Sequence, residues 1–223
     1  MAGLPDNRGA APPWRRAGLD IRLNFINKSN DVNNSDVVVF QKNAATKAAK
    51  IAVAWQVIRN CGQGDNHPFT YPMAFAVGAS DSWGNYTPQL AAQNGQLFAM
   101  SRTTSGDSLS YYGPATSPVE VQVVNHLPDG AISVGVYKVG KLAAIKTSIA
   151  PGQKAVFQFT PTIWIGVVSQ VDEGSVMNSA VVSSINTQLS LIGIASADIV
   201  MTGGGAGPAA TPFEFAFENV VYA

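Results

Sequence analysis

The chain of 223 residues is long enough to bury a sizeable core, yet only 13% of it is charged, about half the usual share of a globular protein. Fourteen basic residues balance fourteen acidic ones, so no net field attracts nucleic acid over long range, and we expect no nucleic-acid partner. The near-zero charge also removes the repulsion that keeps copies apart, which favours self-association, and it predicts a surface covered mainly by Asn, Gln, Ser and Thr.

The N-terminal sequence and the cysteine content bear on location. The stretch MAGLPDNRGAAPPWRRAGLD contains no apolar run of the roughly 7 to 15 residues that a secretory signal needs. The rest of the chain contains no run near the roughly 18 apolar residues of a membrane helix. Cys61 is the one cysteine, so no internal disulfide forms. We expect a cytoplasmic protein, or one released without a secretory signal peptide.

Residues 1–18 are rich in Pro, Gly, Ala and Arg and show no periodicity. We predict a flexible N-terminal arm that becomes ordered on a neighbouring copy, with Trp14, Arg15 and Arg16 as its contact residues. A single folded domain is expected over residues 19–223. It begins with the alternating stretch DIRLNFIN, in which every second residue is apolar.

Short β-branched or aromatic segments follow in the order DVVVFQ, KIAVAWQVIR, MAFAVGA, GQLFAMSR, PVEVQVVNH, AISVGVYK, KLAAIKTS, KAVFQFT and TIWIGVVSQ. Turns such as LPDG, KVGK and APGQ separate them and reverse the chain between neighbouring strands. No intervening segment resembles the crossover helix that connects parallel strands. These features predict an all-β fold, an antiparallel β-sandwich of immunoglobulin-like or jelly-roll-like type with at most one short helix.

Residues 176–192 fit two structures. A spacing of four residues, as on one helix face, relates Met177, Val181, Ile185 and Leu189. The composition of Val, Ile, Ser, Thr and Asn favours strands instead, so we predict two strands, with a helix as the alternative. The ending PFEFAFENVVYA predicts a half-buried last strand, with one face formed by Phe213, Phe215 and Phe217.

The stretch NCGQGDNHPF collects the rarest reactive side chains of the chain. Cys61 could act as a nucleophile with His67 or His126 as its base, as in Cys-His hydrolases. A lone cysteine at a strand end is more often a small buried apolar residue. His67 precedes Pro68, which holds it in an extended conformation. We therefore favour a connection between two strands and keep the hydrolase as an alternative.

Two further motifs suggest chemistry but lack its full pattern. GDSLS, which contains Ser108, resembles the nucleophile block of GDSL-type hydrolases, but no histidine follows His126 to complete it. The loop NKSNDVNNSD offers a weak calcium candidate in Asp31, Asn33 and Asp36, although it does not meet the EF-hand spacing. We expect no metal and no other cofactor.

Aromatic residues in turns give the most usable binding signal. They stand beside carboxylate and carboxamide groups in SDSWGNYTPQ and LSYYGP, and the candidate ligand-binding set is Trp83, Tyr86, Asn85, Asp81, Tyr111 and Tyr112. Flat rings beside planar hydrogen-bonding groups are typical of sugar recognition. Aromatic residues are also enriched where subunits meet, and we favour that interpretation.

Three functions therefore compete. The first is a non-catalytic β-sandwich protein that forms an oligomer, filament, shell or inclusion, so that its main partner is its own copy. The second is a lectin-like or membrane-binding, pore-forming β module that uses its aromatic residues on a glycan or a membrane surface. The third is a Cys-His hydrolase.

Overall fold

A computed structural model describes residues 20–45 and 51–223 of the chain. The predicted all-β fold is confirmed, because strands dominate and a single short α-helix interrupts them in the described residues. The predicted arm, residues 1–18, lies outside the described residues together with Trp14, Arg15 and Arg16. The single domain expected over residues 19–223 stays a prediction.

Two four-stranded sheets face each other and form what we call the first sandwich. One sheet contains, in spatial order, β18 (Thr211–Tyr222), β17 (Ile194–Gly204), β1 (Ile21–Asn27) and β5 (Asn66–Tyr71). The other contains β16 (Thr187–Ser190), β14 (Thr162–Val168), β2 (Asp36–Phe40) and β4 (Gln56–Ile58). Both sheets contribute inward-facing residues to one core, which includes Phe25, Val39 and Ile165.

The alternation predicted from the sequence is confirmed in the first and the last described strand of the chain. In β1 the side chains of Ile21, Leu23 and Phe25 are buried in the core, and the residues between them are more exposed. In β18, Phe215 is buried and the two neighbouring phenylalanines are partly buried against the same core.

Residues 75–157 form a second pair of sheets, the second sandwich, inserted between β5 and β14. One sheet contains β12 (Lys141–Ile149), β11 (Ile132–Lys138), β6 (Phe75–Ser80) and β7 (Leu90–Ala92). The other contains β13 (Lys154–Phe157), β10 (Val121–Asn125), β8 (Gln96–Thr103) and β9 (Gly106–Pro114). This pair encloses its own core, with Val77, Phe98 and Val134 among its members.

A small outer layer covers the sheet that contains β2 and β14. It consists of α1 (Ser179–Ser184) and the short pair of β3 (Ala52–Val53) and β15 (Val176–Met177). The side chain of Asn178 caps α1 by accepting a hydrogen bond from the Val181 N–H at 2.9 Å. Residues 176–192 thus hold two strands, β15 and β16, as predicted, and the alternative helix is present between them for only six residues.

Helix α1 approaches its sheet closely because β14 carries Gly166 at the contact. A Cβ atom at this position would lie 2.8 Å from Cγ1 of Ile185, closer than real side chains pack. In the described residues, no helix is both long and apolar enough to cross a membrane.

Two strand pairs are parallel, where the sequence predicted antiparallel pairing. β1 pairs with β17, which places Phe25 opposite Ile199, and β8 pairs with β10, which places Phe98 opposite Val123. The other described strand pairs are antiparallel, as predicted. The prediction is wrong for these two pairs because it assumed that parallel partners need a crossover helix between them. Here the connections between parallel partners consist of other strands: β9 lies between β8 and β10, and most of the fold lies between β1 and β17.

Lys138, at the end of β11, lies where the second sandwich meets the first. Its side chain is only 3% exposed. The Nζ atom donates a hydrogen bond to the carbonyl oxygen of Pro72 at 2.6 Å and lies 4.2 Å from the centre of the Tyr71 ring. Burial lowers the pKa of Lys138 to about 7, and Asp20 opposes this change only in part. A buried amine therefore joins the two sandwiches.

We predict that the free energy of unfolding rises with pH between about 7 and 10, because the unfolded chain keeps a proton on Lys138 that the folded protein has released. The rise amounts to at most about 4 kcal/mol. It ends near pH 10, since burial raises the pKa of Tyr71 and ionisation of this phenol then favours the unfolded chain. Urea unfolding at a series of pH values measures the effect.

The variant Lys138→Met is expected to lose most of this rise. A smaller rise persists because burial also lowers the pKa of Lys42 and Lys146. Lys141→Met, on the same hairpin but with a more exposed side chain, is the matched control and keeps the full rise. Equal pH dependence in the wild type and Lys138→Met would contradict the assignment.

Candidate functional site

Three connections meet at one end of the second sandwich. Residues 81–89 join β6 to β7, residues 104–105 join β8 to β9, and residues 126–131 join β10 to β11. The first two enclose an open hollow of about 400 Å³, lined among others by Asp81, Asn85, Tyr86, Ser105 and Asp107. The third lies against the first, since a Cβ at Gly130 would be 3.0 Å from Oγ of Ser82. We call this space the loop hollow.

The carboxylate of Asp81 organises one wall of the loop hollow. Its Oδ1 accepts hydrogen bonds from the N–H groups of Trp83 and Asn85, both at 2.9 Å, and its Oδ2 accepts one from Nδ2 of Asn85 at 2.8 Å. The hydrogen bond from the side chain of Asn85, followed by the one from its backbone N–H, lowers the pKa of Asp81. The group is thus ionised at neutral pH and holds residues 81–85 in a fixed turn.

Asp107 forms the opposite wall, at the start of β9. Nε of Arg102 lies 2.9 Å from its Oδ1, and the same guanidinium reaches Oδ1 of Asp129 at 3.4 Å. The hydrogen bond to Asp107 raises the pKa of Arg102. Arg102 and Asp107 were not among the predicted site residues, because the motif GDSLS suggested only a serine nucleophile. The signal was available in the spacing, since Arg102 and Asp107 face each other across a tight hairpin.

The six predicted ligand residues fall into two groups. Asp81, Asn85 and Tyr86 line the loop hollow, and Trp83 stands on the same turn with its side chain 85% exposed. Tyr111 and Tyr112 lie on strand β9 rather than in a loop, which corrects the sequence-based interpretation. They stand six and seven residues beyond Ser105 in the hairpin turn, a distance of about 20 to 24 Å along an extended strand. They belong to a different surface.

That second surface is the outer edge of β9, which we call the β9 edge. Among the described strands β9 pairs with β8 alone. The ring of Tyr111 packs edge-on against Phe98 with centroids 6.0 Å apart, and Tyr112 packs edge-on against His126 at 4.9 Å. Both tyrosines are nevertheless largely exposed, at 58% and 62%. Ser108 lies on the same strand, exposed and opposite Ser101, rather than in the strand-to-helix turn of a hydrolase.

Cys61 lies in the connection between β4 and β5, as predicted. It shares a shallow hollow of about 280 Å³ with Arg59, Asp65 and His67. Burial, helped by the negative charge of Asp65, raises the pKa of the Cys61 thiol. No hydrogen bond among the described residues joins Cys61 to His67, and His126 lies against Tyr112 in the second sandwich. The arrangement does not activate a thiolate.

The asparagine-rich loop before β2 uses its carboxylates locally. The two oxygens of Asp31 accept hydrogen bonds from the N–H groups of Asn33 at 2.9 Å and Ser35 at 2.6 Å. Asp36 lies 3.4 Å from Nε of Arg59. In residues 20–45 and 51–223, no three acidic, histidine or cysteine side chains gather as a metal site would require. The calcium candidate gains no support from this geometry.

Comparisons of the chain with models of known protein families, with curated proteins and with solved structures found no match.

We predict that Cys61 in the folded protein reacts slowly with a thiol reagent such as DTNB. Its raised pKa and partial burial keep the thiol protonated at neutral pH, so the rate should be about tenfold lower than in denaturant and should climb as the pH passes the usual range of a free cysteine. Absorbance at the wavelength of the released thiolate measures both rates. A fast reaction at neutral pH in the folded state would revive the Cys-His hydrolase alternative.

Proposed function

We propose that this protein is a non-catalytic β-sandwich protein that acts through self-assembly, and that its copies pair through the β9 edge. The observation that supports this most directly is the strand itself. β9 runs for nine residues at the edge of its sheet. An exposed edge strand presents unpaired N–H and C=O groups, which form a template for a strand of another chain.

The middle of the β9 edge lacks the charges that usually protect an edge strand against such pairing. Natural edge strands carry charges, especially lysine, that prevent association. From Ser108 to Pro114 this strand carries no charged side chain, and the one charge at its start, Asp107, is neutralised by Arg102. Two other long strands lie at sheet edges, and both carry charges: β18 has Glu214 and Glu218, and β12 has Lys141 and Lys146. The β9 edge is therefore the best candidate of the three.

The two tyrosines add apolar contact area at low entropic cost. Because Phe98 and His126 already support the rings of Tyr111 and Tyr112, little side-chain freedom remains to be lost when a partner covers them. Exposed, supported aromatic rings are typical of the centres of protein interfaces. The balance of fourteen basic and fourteen acidic residues leaves no net repulsion between copies.

A second copy is the partner that fits this strand. A register shift opposite Leu97 and Phe98 limits the regular part of β9 to Gly106–Tyr111. A two-fold axis near Leu109 would pair Ser108 of one copy with Ser110 of the other, and Asp107 with Tyr111. No carboxylate would then oppose another, and the same surface would serve both copies, as closed dimers require.

This proposal fits a protein that works in the cytoplasm. A single, half-buried cysteine needs no oxidising compartment.

We expect the full chain to form oligomers whose mass rises with concentration in size-exclusion chromatography with light scattering. The double variant Ser108→Lys/Ser110→Lys should weaken association about tenfold, because the lysine at position 108 of one copy would face the lysine at position 110 of the other. Both positions are exposed in the single copy, so circular dichroism should show an unchanged fold.

Ala216→Lys, at an exposed position of the edge strand β18, is the matched control and should leave association unchanged. A strictly monomeric wild type at high concentration would refute the proposal. Dissociation by Ala216→Lys but not by the double variant would move the interface from β9 to β18.

A further inference from the structure

We infer that the loop hollow is a binding site for a neutral sugar. This site lies apart from the proposed pairing surface, because its walls are formed by the turn at residues 81–87 and by the hairpin tip at Ser105–Asp107 rather than by the later part of β9. Three connections at one end of a rigid sandwich converge on it, which is where binding sites are commonly placed.

The charges around the loop hollow select against acidic ligands. The carboxylates of Asp81 and Asp107 line the hollow, and Asp129 shares the guanidinium of Arg102 with Asp107. Arg102 is occupied by Asp107 and Asp129, and no lysine or arginine of the described chain pairs with Asp81. A carboxylate, sulfate or phosphate on the ligand would therefore be repelled, whereas an uncharged ligand would not.

The turn at residues 81–85 offers free hydrogen-bond acceptors to a ligand in the hollow. An ionised carboxylate offers about four acceptor positions, and the turn uses three of those on Asp81. Because Nδ2 of Asn85 points to Asp81, its Oδ1 is left as an acceptor that no hydrogen bond among the described residues uses. These free acceptors favour a ligand with several hydrogen-bond donors. Sugar hydroxyls are such donors, whereas a quaternary ammonium group has none.

The aromatic residues supply the complementary apolar contact. Tyr86 lines the hollow with its side chain 77% exposed, and Trp83 extends from the same turn. A flat ring packs well against the apolar C–H face of a pyranose. The turn is held by Asp81 before any ligand arrives, and Tyr86 forms a backbone bridge with Ser80, so binding orders little that is not already ordered.

The test is a set of NMR titrations of the full chain with the methyl glycosides of glucose, galactose, mannose and N-acetylglucosamine at millimolar concentrations. At least one of them should shift the amide signals of Asn85 and Tyr86. Tyr86→Ala should weaken that binding about tenfold, the loss expected for one stacking ring. Tyr222→Ala removes an equally exposed ring far along the chain and should leave binding within about twofold of the wild type.

Methyl glucuronide, choline and liposomes free of sugar headgroups serve as competing probes, and none of them should bind at the hollow. The inference would be overturned if none of the four neutral glycosides shifted the amide signals of the hollow. It would also be overturned by a preference for choline or for the liposomes, or by sugar binding that Tyr86→Ala leaves unchanged. The variant Ser108→Lys/Ser110→Lys should still bind sugar, so that failure of sugar binding and failure of self-assembly are told apart.

Discussion

The parallel pairing of β1 with β17 brings the beginning and the end of the folded chain into one sheet. Phe25 faces Ile199 across this pair, and both side chains are fully buried in the first core. Strands β2 to β16, and with them the whole second sandwich, lie between these two strands in the sequence. Because the two strands are far apart in the chain, pairing them closes a long loop, and burial of apolar side chains such as these must offset the lost chain entropy.

The low content of charged residues also affects the interior of the protein. With few charges available, carboxamide and hydroxyl groups satisfy the backbone where the chain turns. Asn125 is fully buried and uses its side chain to bond the carbonyl oxygens of Gly130 and Ile149 and the N–H of Leu127. Asn27 similarly bonds the carbonyl oxygen of Cys61. The expectation that such residues mainly coat the surface is therefore incomplete, because several of them hold loops in place.

The two proposed activities share one strand but different parts of it. The start of β9 lines the loop hollow, and its later residues form the pairing edge. If copies pair through β9, each assembly carries one hollow per copy at fixed spacing. A single shallow sugar site binds weakly, whereas several sites on one rigid particle bind a glycan-bearing surface far more strongly without any new contact.

Much of the fold was accessible from the sequence because period-two alternation depends only on neighbouring residues. This alternation and the turns between the segments predicted β1, β2, β6, β8, β10 to β14 and β18, and with them the all-β fold class. It missed β9, whose serines, tyrosines and glycine do not alternate clearly between apolar and polar, and so it placed Tyr111 and Tyr112 in a loop. For the candidate site it found the turn with Asp81, Asn85 and Tyr86, but not the hairpin tip that faces it.

The sequence by itself determined the strand content, the turn chemistry, the low surface charge and the position of Cys61 in a connection between strands. Only the tertiary structure decided that two pairs of sheets, each with its own core, share the strands, that two strand pairs are parallel, and that Lys138 is buried between the sandwiches. The physical reason is range. Alternation and turns are set by residues a few positions apart, whereas sheet partners, a buried amine and the walls of a hollow depend on residues that meet only when distant strands pack together.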